Sequence, residues 1–162
     1  MTKIVGIYIR LDPGELHRLV AHPEILPKYD PRVPLADGRG LDLGRAWEPL
    51  GVFIDGGFRL PATGPTIGVE PLPPTDQRAT WSFIEAEDVA EFARSLKALG
   101  PKEFALRYEI DADESQEIPD TRTGGWGSQR QYMFKKLEAL KAHYAVAAAA
   151  GQGMLVRIGE RI

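Results

Sequence analysis

The sequence predicts a single α+β domain over residues 1–162, with a small, mostly antiparallel sheet of about four strands packed against four to five helices. Two short runs of apolar residues, Lys3–Arg10 and Met154–Ile158, are typical of strands. Between them, apolar residues recur at helical spacing in two long segments. The chain has no internal repeat and no domain linker, so we expect all of these segments to share one core.

The beginning of the chain predicts a strand followed by a helix. Lys3–Arg10 carries apolar residues on both alternating faces, so we expect this strand to be covered on two sides. Asp12 and Pro13 occupy the positions of an N-cap and a first helical residue, and Glu15 completes a capping pattern. We expect this helix to end or bend at His22–Pro23.

Proline and glycine are frequent in the next part of the chain. Residues 27–40 predict a long surface loop, and residues 56–77 offer only Ile67–Val69 as a short strand candidate. Residues 42–54, between these stretches, have the spacing of a helix, and a Gly-Gly pair predicts its end. Pro49 lies too deep for the first turn of such a helix, so we expect either a kink or a late helix start there.

The second half predicts two strands and the longest helix. Ala79–Ile84 predicts a strand, and a helix follows from Glu85 until Gly100 ends it. Pro101 can begin a further short helix. The S-x-x-Q pattern of Ser128–Gln131 predicts the start of a long helix before the final strand. The apolar stripe of this helix comprises Met133, Leu137, Leu140, Tyr144 and Ala147.

Composition and charge argue against several classes of protein. A net charge of −3 provides no general cationic field for a phosphate backbone, so nucleic acid is not an expected partner. The absence of cysteine excludes disulfides, thiolate catalysis and Cys-ligated zinc. The apolar start is interrupted by Arg10 and Asp12 and is too short for a signal peptide or a membrane span. We therefore expect a cytoplasmic protein that does not bind a membrane.

The motifs that come nearest to metal or nucleotide sites fail on residue identity. Asp111–Glu117 has oxygen-bearing side chains at alternating places, but Gln116 and Arg122 stand where a calcium loop needs glycine and glutamate. The three histidines have no metal-ligand spacing. The glycines of residues 124–127 lack the G-K-[ST] ending of a phosphate-binding loop. We therefore expect no metal and no cofactor.

Five motifs, in order along the chain, resemble those of one bacterial family. They are Leu11–Leu16, Leu41–Leu50, Ile84–Ala90, Glu117–Pro119 with Gly125–Trp126, and the closing helix and strand. The second follows the pattern L-D-[LI]-x-[KR]-x-W-x-x-L, although Pro49 and Gly51 replace helix formers in it. The chain resembles the YfbM-like proteins, an uncharacterised family known as a domain of unknown function. This resemblance implies an α+β fold over essentially the whole chain, and it implies no substrate.

Two tryptophans of these motifs, Trp47 and Trp126, define the candidate site. Each is large and carries one hydrogen-bond donor. Each can therefore either pack in the core or line a pocket. Arg45 lies close to Trp47 on the predicted helix and can serve such a pocket. The candidate carboxylates for the pocket are Asp42, Asp55 and Glu117.

The sequence leaves two functions as alternatives. The first, which we favour, is a non-catalytic protein-interaction module, immunity- or adaptor-like, whose partner is another protein. The second is a small ligand-binding protein or enzyme with a pocket near Trp47 and Trp126. A flat exposed apolar patch would favour the first, and a closed cleft with converging polar groups would favour the second. No motif identifies a catalytic residue or an oligomeric state.

Overall fold

A five-stranded antiparallel sheet forms the middle layer of the fold. The computed structural model describes residues 3–55, 62–104, 106 and 126–162, without the side chains of residues 126–129. The strands are β1 Ile4–Leu11, β2 Gly40–Gly44, β3 Glu70–Pro71, β4 Ala79–Ile84 and β5 Gly153–Glu160. Their order across the sheet is β2-β1-β5-β4-β3, and each pairing is antiparallel. The predicted α+β class is confirmed, and the described residues form five strands in place of about four.

Helices pack on both faces of this sheet. They are α1 Pro13–Ala21, a 3-10 helix Pro23–Lys28, α2 Arg32–Asp37, α3 Trp47–Asp55, α4 Ala86–Lys97 and α5 Trp126–Ala149. Leucines of α1 and of the 3-10 helix pack on Ile7, Trp81 and Leu155, which we call the α1 face. Leucines of α3, α4 and α5 pack around Tyr8 and Val156 on the opposite α5 face. Because both faces are covered, side chains that point either way from the central strands are buried.

The centre of the sheet is the pair β1 and β5. Their ladder runs in register from Ile4 opposite Glu160 to Leu11 opposite Gly153. The prediction that the strand beginning at Lys3 is covered on two sides is confirmed, because Val5, Tyr8 and their neighbours on both faces are buried. Alternating apolar residues thus specify the two central strands, as expected for strands that bury both faces.

The predicted helix over residues 42–54 is wrong in its first part. Residues 40–44 form the edge strand β2, and the backbone at Gly44 has a φ of 58°, which stops regular structure there. The carboxylate of Asp42 accepts the backbone N–H of Gly44 at 2.7 Å, which fixes the turn. The helix α3 begins only at Trp47, so Pro49 lies in its first turn, where no helical N–H is needed. The late start is therefore the correct alternative.

Two further predictions of the Pro- and Gly-rich stretches are wrong. Residues 27–40 are not one loop, because the 3-10 helix reaches Lys28 and α2 occupies Arg32–Asp37. The carboxylate of Asp30 accepts the backbone N–H of Arg32 at 3.0 Å and so helps α2 to start. The short strand lies at Glu70–Pro71 rather than at Ile67–Val69.

The loop that precedes β3 is held by hydroxyl groups from three different elements. Tyr8 of β1 donates to the carbonyl oxygen of Thr66 at 2.6 Å, and Tyr144 of α5 donates to that of Pro65 at 2.6 Å. Ser82 of β4 donates to the carbonyl oxygen of Ile67 at 2.7 Å. Three consecutive carbonyl groups are thus satisfied by side chains, which explains why this segment does not join a strand.

The long helix confirms the predicted stripe but not the predicted start. All five residues of the stripe, from Met133 to Ala147, are buried in the core. The helix already includes Trp126, two positions before the predicted cap Ser128, whose side chain lies outside the described residues. The predictions that concern Gly56–Gly57 and residues 111–125 also lie outside the described residues.

Candidate functional site

Trp47 lies in the first turn of α3 and covers the beginning of β1. Its ring is half-buried against the core of the α5 face, and its Nε1 donates to the carbonyl oxygen of Ile4 at 3.1 Å. Gly6 makes this close packing feasible, since a Cβ atom there would lie 2.7 Å from the Cβ of Trp47. The one polar group of this indole is therefore engaged within the fold.

The other residues of the predicted tryptophan site are not brought into one described pocket. Arg45 is exposed, and no ion pair links it to another described residue. Asp42 is exposed and its carboxylate is engaged by the turn at Gly44. Trp126 begins α5, but its side chain lies outside the described residues, as does Glu117. A site shared by Arg45, Trp47 and Trp126 therefore stays a prediction.

Replacing Trp47 by Phe tests whether this ring is structural. We expect the free energy of unfolding to fall by about 1 kcal/mol, because the carbonyl group of Ile4 loses its donor. Chemical denaturation measures the loss, and Arg94→Gln is the control because this side chain of α4 is exposed. An unchanged stability together with a loss of ligand or partner binding would instead place Trp47 in a binding site.

A polar cleft lies on the α1 face, beside the end of β5. Its volume is about 490 Å³, and it is bounded by residues 27–32, by the turn before β4 and by residues 157–162. Its charged side chains are Lys28, Asp30, Arg32, Asp76, Arg78, Arg157, Glu160 and Arg161. We call it the Arg157 cleft. Its five basic and three acidic side chains sum to a charge of +2 on a chain whose net charge is −3.

Arg157 is the most deeply placed cation of this cleft. It stands in the central strand β5, opposite Ile7 of β1 and Trp81 of β4, and only 3% of its surface is exposed. Its Nη1 donates to the carbonyl oxygen of Glu160 at 2.7 Å, and its guanidinium carbon lies 5.8 Å from the centroid of the Trp81 ring. Burial lowers the pKa of Arg157, yet a guanidinium remains charged in a protein.

Asp76 stabilises the wall of the cleft that is formed by the turn before β4. Its side chain is 4% exposed and accepts the indole N–H of Trp81 at 3.0 Å and the backbone N–H of Arg78 at 3.0 Å. Burial acts to raise the pKa of Asp76, but these hydrogen bonds outweigh burial and the pKa lies below its usual value. Asp76 is thus an ionised group engaged by its own neighbours.

Internal ion pairs leave several cations of the cleft available. Arg32 bonds Asp30 at 2.9 Å, and Arg78 approaches Asp76 at 3.5 Å. Among the described residues, no ion pair engages Lys28, Arg157 or Arg161. The cleft is therefore suited to hold an anion.

The sequence contains one signal for the Arg157 cleft. Arg157 interrupts the apolar run Met154–Ile158. The apolar residues on both sides of it predict a buried strand. A charged residue in such a place must be paired or must serve a site. Asp76 and Lys28 have no comparable signal, because only the fold brings their segments to β5.

Comparison with known proteins places the chain in a family. The family model named Domain of unknown function (DUF1877) matches residues 3–157. The chain belongs to the DUF1877 family. The fold of this DUF1877 protein is similar to the crystal structure of YfbM from Escherichia coli, described as a protein of unknown function, with a TM-score of 0.66. The two are 17% identical, over 95% of this chain and 99% of that one, so the likeness shows the fold alone. No curated protein matches the sequence.

The family match covers the tryptophan candidates and most of the Arg157 cleft, whose residues 160–162 lie beyond the matched span. The matched span contains Arg45, Trp47, Asp76 and Arg157, and it ends at Arg157 itself. The resemblance to YfbM-like proteins that the sequence motifs indicate is confirmed. In the part of the chain that the structure describes, no helix is both long enough and apolar enough to cross a membrane.

Proposed function

We propose that this DUF1877 domain is a non-catalytic protein-interaction module, immunity- or adaptor-like, that binds an acidic segment of a partner protein at the Arg157 cleft. The observation that carries the proposal is the guanidinium of Arg157, which is buried in the central strand and lines the cleft. The tryptophan site near Trp47 is not required for this function.

The burial of Arg157 supports a binding role, because burying a charged side chain lowers the stability of the fold unless the charge serves another purpose. Replacing buried ionic groups with apolar residues of similar volume often stabilises a protein, by about 1 to 4 kcal/mol. Arg157 has one hydrogen bond, to the backbone of Glu160, and a ring contact with Trp81. A guanidinium fork that is held in place, with further N–H groups available, suits the recognition of an anionic group.

The composition of the cleft favours binding over catalysis. Among the described residues that line it there is no histidine, serine or threonine, so neither a histidine base nor a hydroxyl nucleophile of the serine type is found there. Two of its three carboxylates are engaged, Asp30 by Arg32 and Asp76 by Trp81 and Arg78. Apart from Glu160, the remaining charged groups are cations, which are placed to attract and hold an acidic group.

Capture of partners from the native host tests this proposal. The immobilised domain is compared with Arg157→Met, which keeps the volume and removes the charge, and with Arg161→Gln. Arg94→Gln is the matched control, because Arg94 is exposed on α4 across the sheet. We expect Arg157→Met to weaken capture by roughly 30-fold or more, because truncating one partner of a buried charge pair costs about 2 to 5 kcal/mol.

The salt dependence of capture provides a second readout. Because the cleft carries a local charge of +2, we expect binding to weaken as ionic strength rises, and Arg161→Gln to reduce this dependence. A partner that binds Arg157→Met and the unaltered domain equally well would overturn the proposal. Circular dichroism of each variant establishes that it is folded.

A further inference from the structure

We infer that the group recognised at the Arg157 cleft is a phosphoryl group, carried by a phosphorylated segment of the partner protein. This inference rests on the proposed function, and it adds the chemical class of the ligand. Three observations support it: the charge that remains after internal pairing, the number and placement of the free cations, and the size of the cleft.

The charge of the cleft matches a dianion better than a monoanion. Arg32 and Arg78 are paired with Asp30 and Asp76, which leaves Lys28, Arg157 and Arg161 against Glu160. The remaining charge of +2 is close to the charge of about −1.5 to −2 that a phosphate monoester carries at pH 7. A single carboxylate, with one negative charge, would leave part of the cationic charge uncompensated.

The three cations without an ion pair to a described residue come from two walls of the cleft. Lys28 ends the 3-10 helix, Arg157 stands in β5, and Arg161 follows that strand. A phosphoryl group has three terminal oxygens and can accept a hydrogen bond from each side. A carboxylate has two oxygens in one plane and one negative charge, so it offers fewer acceptors and less charge to these cations than a phosphoryl group does.

Arg157 is held ready for such a ligand before binding. Its Nη1 is fixed by the carbonyl oxygen of Glu160, and its guanidinium lies beside Trp81, whose indole is in turn held by Asp76. A guanidinium that is already ordered loses little entropy when it binds. The cleft of about 490 Å³ is large enough to take a phosphoryl group together with the side chain that carries it.

Matched small probes test the ligand class. N-acetyl-phosphoserine amide and inorganic phosphate are titrated into the full chain beside N-acetyl-glutamate amide and acetate, and binding is followed by calorimetry and by amide chemical shifts. We expect the phosphoserine probe to bind at least about 10-fold more tightly than the glutamate probe, because it adds charge and acceptors. The shifts should center on residues 157–161 and on residues 28–32.

The pH dependence of binding gives a signature that a carboxylate lacks. The second ionisation of a phosphate monoester has a pKa near 6, so affinity should rise between about pH 5.5 and pH 7.5. No histidine lines the cleft, and its charged groups are the carboxylates, arginines and lysine named above, so the rise follows the ligand. The affinity of the glutamate probe should stay nearly constant over the same range.

Three variants connect this binding to the cleft. Arg157→Lys keeps the positive charge but loses the two parallel N–H donors of the guanidinium, and it should weaken phosphoserine binding by roughly 10-fold. Lys28→Gln combined with Arg161→Gln alters only exposed side chains and should have a similar effect even if Arg157→Lys does not fold. Arg94→Gln should bind as the unaltered chain does. Equal binding by all of these proteins would overturn the inference.

The outcomes separate this inference from the proposed function. If phosphoserine binds no better than glutamate while capture of the host partner still depends on Arg157, the phosphoryl inference is wrong and the proposed function stands. If inorganic phosphate binds as tightly as the phosphoserine probe, the site takes free phosphate and the phosphorylated partner is wrong. If no probe binds and capture does not depend on Arg157, both proposals are wrong.

Discussion

Leu140→Ala should lower the free energy of unfolding by about 3 kcal/mol, because it opens a cavity in the centre of the core. Leu140 is fully buried in the stripe of α5, in the same cluster as Tyr8 and Val156 of the sheet. Truncating such a side chain removes its transfer free energy and its packing contacts together. Urea denaturation followed by circular dichroism measures the difference.

Lys135→Ala is the matched control on the same helix. Lys135 is exposed, and alanine is the better helix former, so we expect its effect on stability to stay within about 0.5 kcal/mol. A loss below about 1 kcal/mol for Leu140→Ala would contradict the packing of α5 on the sheet. The stripe would then be available as a surface for a partner.

Lowering the pH from neutral should destabilise the protein through His143. This residue lies on α5 with 8% of its surface exposed, and its Nε2–H donates to the carbonyl oxygen of Tyr8 at 2.9 Å. Burial lowers its pKa from 6.5 to about 4, with the nearby Arg10 acting in the same direction and the bond to Tyr8 against it. The folded protein therefore keeps this imidazole neutral where the unfolded chain protonates it.

The direction of the effect follows from proton linkage. Because the folded state binds fewer protons than the unfolded state between about pH 6.5 and pH 4, the stability from neutral His143 is present above that range and is lost as the pH falls through it. A shift of this size corresponds to a loss on the order of 3 kcal/mol. Denaturation at pH 7 and at pH 4.5 should reveal most of it.

His143→Gln isolates this contribution. Glutamine can still donate to the carbonyl group of Tyr8 but does not titrate, so the variant should lose most of the dependence of stability on pH in this range. His17→Gln is the control, because His17 is exposed on α1. Equal pH profiles for His143→Gln and for the unaltered protein would show that another group causes the acid sensitivity.

Apolar periodicity predicted the parts of this fold that are buried on a regular repeat. The strands β1 and β5 and the stripe of α5 each place apolar residues at the spacing of one element, so their faces can be read from the chain. Only the first part of the predicted helix over residues 42–54 is wrong, because the leucines on either side of Asp42 satisfy two patterns. Leu41 and Leu43 fit a strand as well as a helix, and the turn at Gly44 decides between them.

The Arg157 cleft depends on contacts that the sequence pattern does not encode. Its walls come from the end of the 3-10 helix, from the turn at Asp76 and from β5, which are far apart along the chain. Of the charged residues of this cleft, only Arg157 can be recognised from the sequence, because it is a charged residue within an apolar strand. The predicted tryptophan site does not include Arg157, because Trp47 and Trp126 come from motifs read along the sequence, whereas electrostatics in a folded protein depends on spatial neighbours.

The pairing of β1 with β5 has a consequence for how the chain folds as it is synthesised. Arg10 and Gln152, bonded beside this ladder, are 142 residues apart in sequence. Until β5 emerges, β1 lacks its central neighbour, and the sheet cannot bury either of its faces. A topology of such non-local pairing folds slowly, and its unpaired apolar strand is open to association with other chains. Both faces of the sheet can therefore be buried only after residues 153–160 have been made.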